Sequence, residues 1–290
     1  MRYEKKNKLI GPVLKWVGGK RQLLPEIIKL LPEKITKYYE PFLGGGAVLF
    51  HIQPKKALVN DINEELINCY KVIKENPNEL IESLKKHENN SEYFYKIRSL
   101  DRTEEYKMLS NVEKASRIIY LNKTCYNGLF RVNSSGEFNS PFGRYKNPKI
   151  VEEITIKAIS HYFNTNDIEI LSTDYKKALL GVKKGSFVYF DPPYDPVSDS
   201  SNFTGYTKSG FTKDDQIELK ELCDELTKNG VKFLLSNSST KFIKELYKDY
   251  NIEIVTAKRY INSNKDARGS IEEVLIRNYE RSWSLLARAF

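Results

Sequence analysis

Residues 187–194 read Phe-Val-Tyr-Phe-Asp-Pro-Pro-Tyr, and these types in this order define an acceptor-rich corner. Four β-favouring residues predict a short buried strand that ends at Asp191. Each proline lacks an N–H and disfavours the helical region for the residue before it, so Asp191 and Pro192 are expected to be extended. Two backbone donors are missing there, while the Asp191 carboxylate and the neighbouring carbonyls accept hydrogen bonds and Tyr194 adds an aromatic face. The combination suits an amino group on a flat ring, as in adenine or cytosine: two amine hydrogens find acceptors and the ring stacks on Tyr194. An isolated Asp-Pro is more simply a turn with a surface carboxylate. Asp-Pro-Pro-Tyr directly after an apolar strand favours the amine site.

A corner of this kind needs a sheet to hold it. Leu14-Lys15-Trp16-Val17-Gly18-Gly19-Lys20 sets two glycines between a tryptophan and a lysine, an arrangement that reads either as a ligand-facing turn or as a turn with a packed indole. It is not a P-loop, because Arg21 stands where Ser or Thr must follow the lysine and the earlier glycine is missing. Residues 1–10 are polar, basic and expected to be loose. Leu23, Leu24, Ile27, Ile28 and Leu31 predict a short amphipathic helix with Pro25 in its first turn.

Residues 38–46, Tyr-Tyr-Glu-Pro-Phe-Leu-Gly-Gly-Gly, predict a strand running into a glycine-rich turn, with a helix from Ala47. In a doubly wound sheet, ligands sit beyond the carboxyl ends of the strands, where glycines allow close approach. Leu49 occupies the place of the last glycine of a dinucleotide fingerprint, which disfavours a pyrophosphate. The next strand, at 57–59, ends at Asn60-Asp61, where a carboxylate either accepts both hydroxyls of a ribose or caps a helix.

Residues 64–87 are helical in pattern, with a break at Asn76-Pro77, and another helix ends near Thr124. This stretch is too long for a βα connection, so residues 63–160 are expected to form an inserted, mainly helical subdomain. Residues 114–149 carry seven basic side chains, Lys114, Arg117, Lys123, Arg131, Arg144, Lys146 and Lys149, against Glu137 alone. Aromatic and turn residues run through it: Tyr126-Asn127-Gly128-Leu129-Phe130-Arg131, a Ser134-Ser135-Gly136 turn that predicts a hairpin, then Phe138 to Tyr145. The mixture fits phosphate contacts, base-edge reading and a wedge at a base step; a solvated basic loop is the alternative.

The remaining chain predicts a strand at 168–171 before Asp174, itself either a second strand-end acid or a helix cap. A polar loop at 198–210 with Phe203 and Tyr206 follows the corner, then a helix at 214–228 stopped by Gly230. Strands at 232–236, 252–257 and 273–279 and a helix at 240–247 complete the pattern, the last two strands pairing antiparallel. Residues 281–290 are read as a tail outside the fold, consistent with vector-derived sequence.

Composition sets the outer limits. Lysine and arginine number 47 against 38 aspartates and glutamates, a formal charge of +9, which suits a polyanionic partner. Cys69, Cys125 and Cys223 are scattered and odd in number, which argues against a disulfide framework or a thiolate zinc site and for reduced thiols in a cytoplasm. No apolar run approaches the roughly 18 residues of a membrane span.

Taken in order, Trp16-Val17-Gly18-Gly19-Lys20, residues 40–46, Asn60-Asp61 and residues 191–194 resemble Dam-type N6-adenine DNA methyltransferases, and within them the DpnM branch that modifies GATC sites. The stretches 126–131 and 136–145, the latter with Pro-Phe-Gly-Arg-Tyr, resemble that family's target-recognition hairpin. The likeness covers about residues 12–280. It implies an α/β, doubly wound Rossmann-like methyltransferase sheet with an antiparallel last strand. Residues 1–62 and 161–280 would form the catalytic domain, which binds S-adenosylmethionine, and residues 63–160 the target-recognition subdomain acting on double-stranded DNA. By the same likeness Trp16, Lys20, Phe42, Asp61, Asp174 and Asp191 serve the cofactor, and Asp191, Pro192 and Tyr194 the chemistry on a flipped-out adenine. Tyr126, Asn127, Leu129, Arg131, Arg144, Tyr145 and Lys146 are the expected DNA contacts, and no metal is called for. Cytosine N4 or RNA adenine as substrate, or an inactive DNA-binding relative, are the alternatives.

Overall fold

The computed structural model describes residues 6–16, 18–197, 211–258 and 270–280. The polar loop at 198–210, most of the loop at 262–270 and the tail at 281–290 therefore lie outside the described residues. Among the described residues seven strands form one sheet: β1 (Tyr38–Glu40), β2 (Lys56–Asn60), β3 (Asp167–Leu171), β4 (Phe187–Phe190), β5 (Lys232–Ser238), β6 (Asn251–Lys258) and β7 (Ser270–Arg277). Their spatial order is β3-β2-β1-β4-β5-β7-β6. The first five are parallel and β7 runs antiparallel to both β5 and β6. The chain moves outward from β1 through β2 to β3 and then returns to place β4 on the other side of β1. The crevice between the carboxyl ends of β1 and β4 is thus the switch point at which open α/β sheets bind ligands.

Both faces of the sheet are covered, which explains why the strands read as nearly unbroken apolar runs. Side chains alternate across a strand. Tyr38, Ala57, Val59, Phe187, Tyr189, Leu234 and Leu275 pack on one face against α1 (Leu24–Leu30), α2 (Ala47–Ile52), α3 (Glu64–Glu75), α4 (Pro77–Lys85), α5 (Ser91–Ser99), α7 (Asn111–Thr124) and α8 (Glu153–Thr165), with the short α6 (Glu105–Met108) at the surface. Tyr39, Leu58, Val188, Phe190, Phe233, Leu235, Val274 and Ile276 point the other way, toward α9 (Tyr175–Ala178), α10 (Lys213–Lys228) and α11 (Lys241–Leu246).

Local signals set the helix ends. Pro77 opens α4, where its missing N–H has no intrahelical partner to lose. Ser110 with Glu113 and Thr212 with Asp215 form reciprocal capping boxes that start α7 and α10. The insertion between β2 and β3 shares the core of the first face, because α3 and α8 lie directly against the sheet and α7 packs across α3 and α4.

Two expectations are corrected here. Residues just after the N-terminus are not uniformly loose: Asn7 N–H donates to Gln53 Oε1 (3.1 Å) and Gln53 Nε2 donates back to the Asn7 carbonyl (3.0 Å). The basic stretch is also less available than its count implies. Arg117 is only 2% exposed, pairs with Asp101 at 2.8 Å and donates to the Ile97 and Arg98 carbonyls, and Lys123 pairs with Glu152 at 3.2 Å. Those two cations hold the insertion together and are withdrawn from any contact with phosphate. Cys69, Cys125 and Cys223 are buried free thiols, and no helix among the described residues is long and apolar enough to cross a membrane.

Candidate active site

Strand β4 ends at Phe190 and delivers Asp191 to the switch point, next to the end of β1. Asp191 Oδ1 accepts from Lys20 Nζ at 2.8 Å and from Ser236 Oγ at 3.1 Å. Burial raises the Asp191 carboxyl above the ordinary range, and the Lys20 ammonium and Ser236 hydroxyl pull it part of the way back. Lys20, 6% exposed, also donates to the Gly18 carbonyl at 2.5 Å and lies 4.5 Å from the ring centre of Tyr194. Tyr194 is fixed from its far end, where the hydroxyl donates to Glu273 Oε2 at 2.7 Å.

The polar end of β5 ties down the rest of the corner. Asn237 Oδ1 accepts from the Asp195 N–H (3.0 Å), Ser238 Oγ donates to the Asp195 carbonyl (2.7 Å), Gln216 Nε2 donates to the Pro193 carbonyl (2.9 Å), and Gln216 Oε1 accepts from Asn237 Nδ2 (3.0 Å). Ser236, Asn237, Ser238, Gln216 and Glu273 were not singled out from sequence. The available signal was three polar residues closing an otherwise apolar strand, a pattern that buried strands tolerate only when each polar group finds a partner.

On the β1 side, the glycine-rich turn folds back over the end of β2. The Gly44 N–H donates to Asp61 Oδ2 (2.9 Å), the Asn63 N–H to Asp61 Oδ1 (3.0 Å), and Tyr70 Oη to the Gly44 carbonyl (2.9 Å). Gly44 and Gly46 have φ of 50° and 67°, and a Cβ on Gly46 would meet the Phe50 ring at 2.8 Å. Only glycine therefore fits there. The cap of α3 is Asn63, whose side chain accepts from Leu66 N–H, so Asp61 is not a helix cap. Each Asp61 oxygen retains acceptor capacity beyond its one backbone bond. Asp174 does cap a helix, accepting from the Lys176 N–H at 2.9 Å. Phe42 sits in an aromatic group with Tyr175 (5.1 Å), Phe211 (6.0 Å) and Phe190 (6.5 Å).

Between these two halves lies Glu40, 2% exposed at the end of β1 and overlooked in the sequence. Its Oε2 accepts from Tyr38 Oη (2.8 Å) and the Leu49 N–H (3.1 Å), and burial pushes its carboxyl up to about 8, with the Asp191 and Asp61 charges adding to the rise.

The target-recognition candidates form a separate group joined to the corner through Trp16. Its indole stacks on Phe130 at 4.6 Å and 23° and touches the space beside Gly44. Asn122 clamps the same junction: its amide accepts from Lys15 N–H (2.8 Å) and donates to the carbonyls of Lys15 (2.8 Å) and Gly128 (3.2 Å). Tyr126 is 58% exposed and Asn127, at φ 58°, turns the chain outward. Leu129 is half-buried. The Val132–Phe138 bridge closes the hairpin, and Arg131 is braced across it by Asn139, through Nε to Oδ1 (2.7 Å) and Nη2 to the carbonyl (3.2 Å). Arg144, Tyr145 and Lys146 are exposed beyond the Cys125–Phe142 bridge, anchored by Asn89 at the Tyr145 and Lys146 carbonyls. Among the described residues no group of three or more His, Cys, Asp and Glu side chains is placed to hold a metal.

Residues 16–261 match the family described as D12 class N6 adenine-specific DNA methyltransferase. The chain is similar to the Type II methyltransferase M1.LlaDCHI of Lactococcus lactis subsp. cremoris, 50% identical across 94% of this chain and 98% of that protein. It is 45% identical to the Type II methyltransferase M.MjaIII of Methanocaldococcus jannaschii across 93% and 99% of the two chains. A DNA adenine methylase of Escherichia coli is 34% identical, across 90% of this chain and 93% of its own.

Proposed function

The chain belongs to the D12 class of N6 adenine-specific DNA methyltransferases, and on that premise we propose that it uses S-adenosylmethionine to methylate adenine N6 in GATC sites of duplex DNA in the cytoplasm. The sheet, 1–62 and 161–280, is the catalytic unit in this reading, and 63–160 the unit that recognises the target. The observation that carries the proposal is the Asp191 carboxylate, held by Lys20 and Ser236 at the switch point of the sheet.

The residues fit an adenosine-bearing donor. The turn leaves no room for a side chain at Gly46 and little at Gly44, the Asp61 carboxylate is held by two backbone N–H groups at the end of β2, and Leu49 stands in place of the last glycine of a pyrophosphate-binding fingerprint. Trp16, Lys20, Phe42, Asp61 and Asp174 would hold the donor, which when bound supplies a methyl group activated by a sulfonium. Asp191 and the Pro192 carbonyl accept the two hydrogens of an adenine rotated out of the stack; Gln216 already occupies the next carbonyl, that of Pro193. Two acceptors draw the N6 lone pair out of conjugation and aim it. A carboxyl with a raised proton affinity is also suited to hold the proton that the amino group sheds. Tyr194, braced by Glu273, carries the base, and positioning plus electrostatic preorganisation supply most of the rate. Tyr126, Asn127 and Leu129 support the opened step, Arg131 reads a base, and Arg144, Tyr145 and Lys146 contact the backbone.

Transfer of radiolabelled methyl from S-adenosylmethionine to duplexes with and without GATC tests this. Label confined to GATC duplexes is expected; equal label on both would remove the sequence assignment.

A further inference from the structure

The hairpin that carries Arg131 is too small to hold its own register. Its strands meet at the Val132–Phe138 bridge, with the Asn133 N–H on the Glu137 carbonyl and the Asn139 N–H on the Arg131 carbonyl (2.9 Å each), and an isolated two-stranded ribbon is marginal in water. The Phe138 backbone groups instead reach outward, to the turn Leu100–Arg102 that follows α5. Its N–H donates to Asp101 Oδ2 at 2.7 Å and its carbonyl accepts from Arg102 Nη2 at 3.2 Å, so two consecutive residues grip both polar groups of one hairpin residue. The Phe138 side chain is buried against Phe130, with ring centres 5.7 Å apart. Asn139, the brace of Arg131, comes next in the chain. A slip of one residue would turn Asn139 to the other face of the ribbon and leave Arg131 unbraced.

Asp101 can stand in this place because a cation stands behind it. Its carboxylate is 10% exposed, and the oxygen that takes the Phe138 N–H also takes Arg117 Nη2 at 2.8 Å. Arg117 is in turn fixed by donating to the Ile97 (2.9 Å) and Arg98 (2.7 Å) carbonyls. A buried pair adds little stability over apolar residues of the same volume, and its best-attested use is to fix register. The second oxygen of Asp101 and Nη1 of Arg117 have no hydrogen-bond partner among the described residues, a cost that a purely stabilising pair would not carry.

We propose that Asp101 is a positioning residue for sequence reading: held by Arg117, its carboxylate sets the register of the hairpin at Phe138 and so presents the Arg131 guanidinium to its base pair. This rests on the reading above, in which Arg131 reads a base of GATC, and adds to it a residue that acts through Phe138 and Asn139 rather than on the base.

The test compares kcat/KM for methyl transfer to a GATC duplex and to its single-base variants. Each discrimination ratio comes from one preparation, so an unfolded fraction cancels. Asp101→Ala removes the acceptor of the Phe138 N–H; at the base pair that Arg131→Ala relaxes, the ratio should fall by about tenfold, within what one bidentate base contact supplies, while the other positions keep theirs. Asp101→Asn also deprives Arg117 of its counter-charge but leaves an amide oxygen for the Phe138 N–H, so it shares the stability cost and should keep most of the ratio. Should Asp101→Ala not fold, Asp101→Leu combined with Arg117→Met removes both charges together and should relax the same position. Added to Arg131→Ala, Asp101→Ala should relax that position no further. A parent that discriminates while Asp101→Ala slows every duplex alike, or equal relaxation in the Ala and Asn variants, overturns the positioning role and leaves the GATC reading intact. A parent that methylates all the duplexes equally overturns that reading and the positioning role with it.

Discussion

Trp16 and Phe130 stack with ring centres 4.6 Å apart and planes at 23°, although 113 residues separate them along the chain. The contact joins the turn assigned to the donor to the segment assigned to the target sequence, and Asn122 doubles the joint through the Lys15 backbone. Trp16→Ala should therefore weaken DNA binding as well as donor binding, by several-fold each, and lower stability by roughly 3–5 kcal/mol at most for a partly exposed indole. Trp16→Phe, which keeps a stacking face, should be mild. Calorimetry with each ligand checks this; a loss confined to the donor would show that the stack transmits nothing.

Asp191→Ala should abolish methyl transfer in a single turnover while DNA affinity falls far less. Because burial raises the Asp191 carboxyl, the ionised acceptor is lost as pH falls through a value above the ordinary aspartate range, so the acid limb of the single-turnover rate should lie above that range. An acid limb at the ordinary value would remove the desolvation argument. Tyr194→Phe should cost more than a stacking ring alone implies, because it leaves the Glu273 carboxylate without its donor.

Asp61→Ala takes the acceptor from two backbone N–H groups at once. The expected result is weakened S-adenosylmethionine binding together with a stability loss of about 1–3 kcal/mol. Donor affinity by calorimetry is the deciding measurement: if it is unchanged, Asp61 only shapes the turn.

Glu40 binds its proton more readily in the folded chain, about 8 against an ordinary 4.5. Its contribution to stability is full below the ordinary value and is lost as pH rises through about 8. Glu40→Gln keeps an acceptor for Tyr38 and Leu49 but does not titrate. Chemical unfolding should find the variant and parent similar at pH near 5, and the variant more stable at pH near 9 by on the order of 3 kcal/mol. A difference that does not change with pH would mean that Glu40 does not titrate in the fold.

Asn139 occupies the Nε and Nη2 edge of Arg131, so in the proposed reading the terminal Nη1–Nη2 edge is the one that would meet a guanine. Arg131→Ala should cost about 1–3 kcal/mol on the cognate site and relax discrimination at one base pair. Asn139→Ala should relax the same base pair less. Lys146→Ala should weaken all duplexes alike and flatten the salt dependence by about one unit. Single-base variants of GATC assayed at several salt concentrations distinguish them; a uniform loss in Arg131→Ala would make Arg131 a phosphate anchor.

The sequence by itself determined the order of the seven strands along the chain and where β4 stops, while β5 runs two residues further than its pattern implied and β7 begins three residues earlier. Alternation does not appear in β4 because both of its faces are covered, and the apolar run, the carboxylate and the two prolines nonetheless fix where it stops. Asn76-Pro77, the glycine turn at 44–46 and the Ser134-Ser135-Gly136 hairpin are local in origin and fold as local chemistry dictates. What only the tertiary structure decided is which polar groups meet. Arg117 reads as a surface cation until Asp101 and Glu65 enclose it. Glu40 is only one residue of a strand before a glycine turn until Tyr38 and Leu49 hold its carboxylate in the core. Lys20 reads as a ligand contact until it is found on Asp191, 171 residues away. A side chain's partner, and with it the cost of its charge, is set by desolvation in a core assembled from distant segments, and no local pattern encodes that.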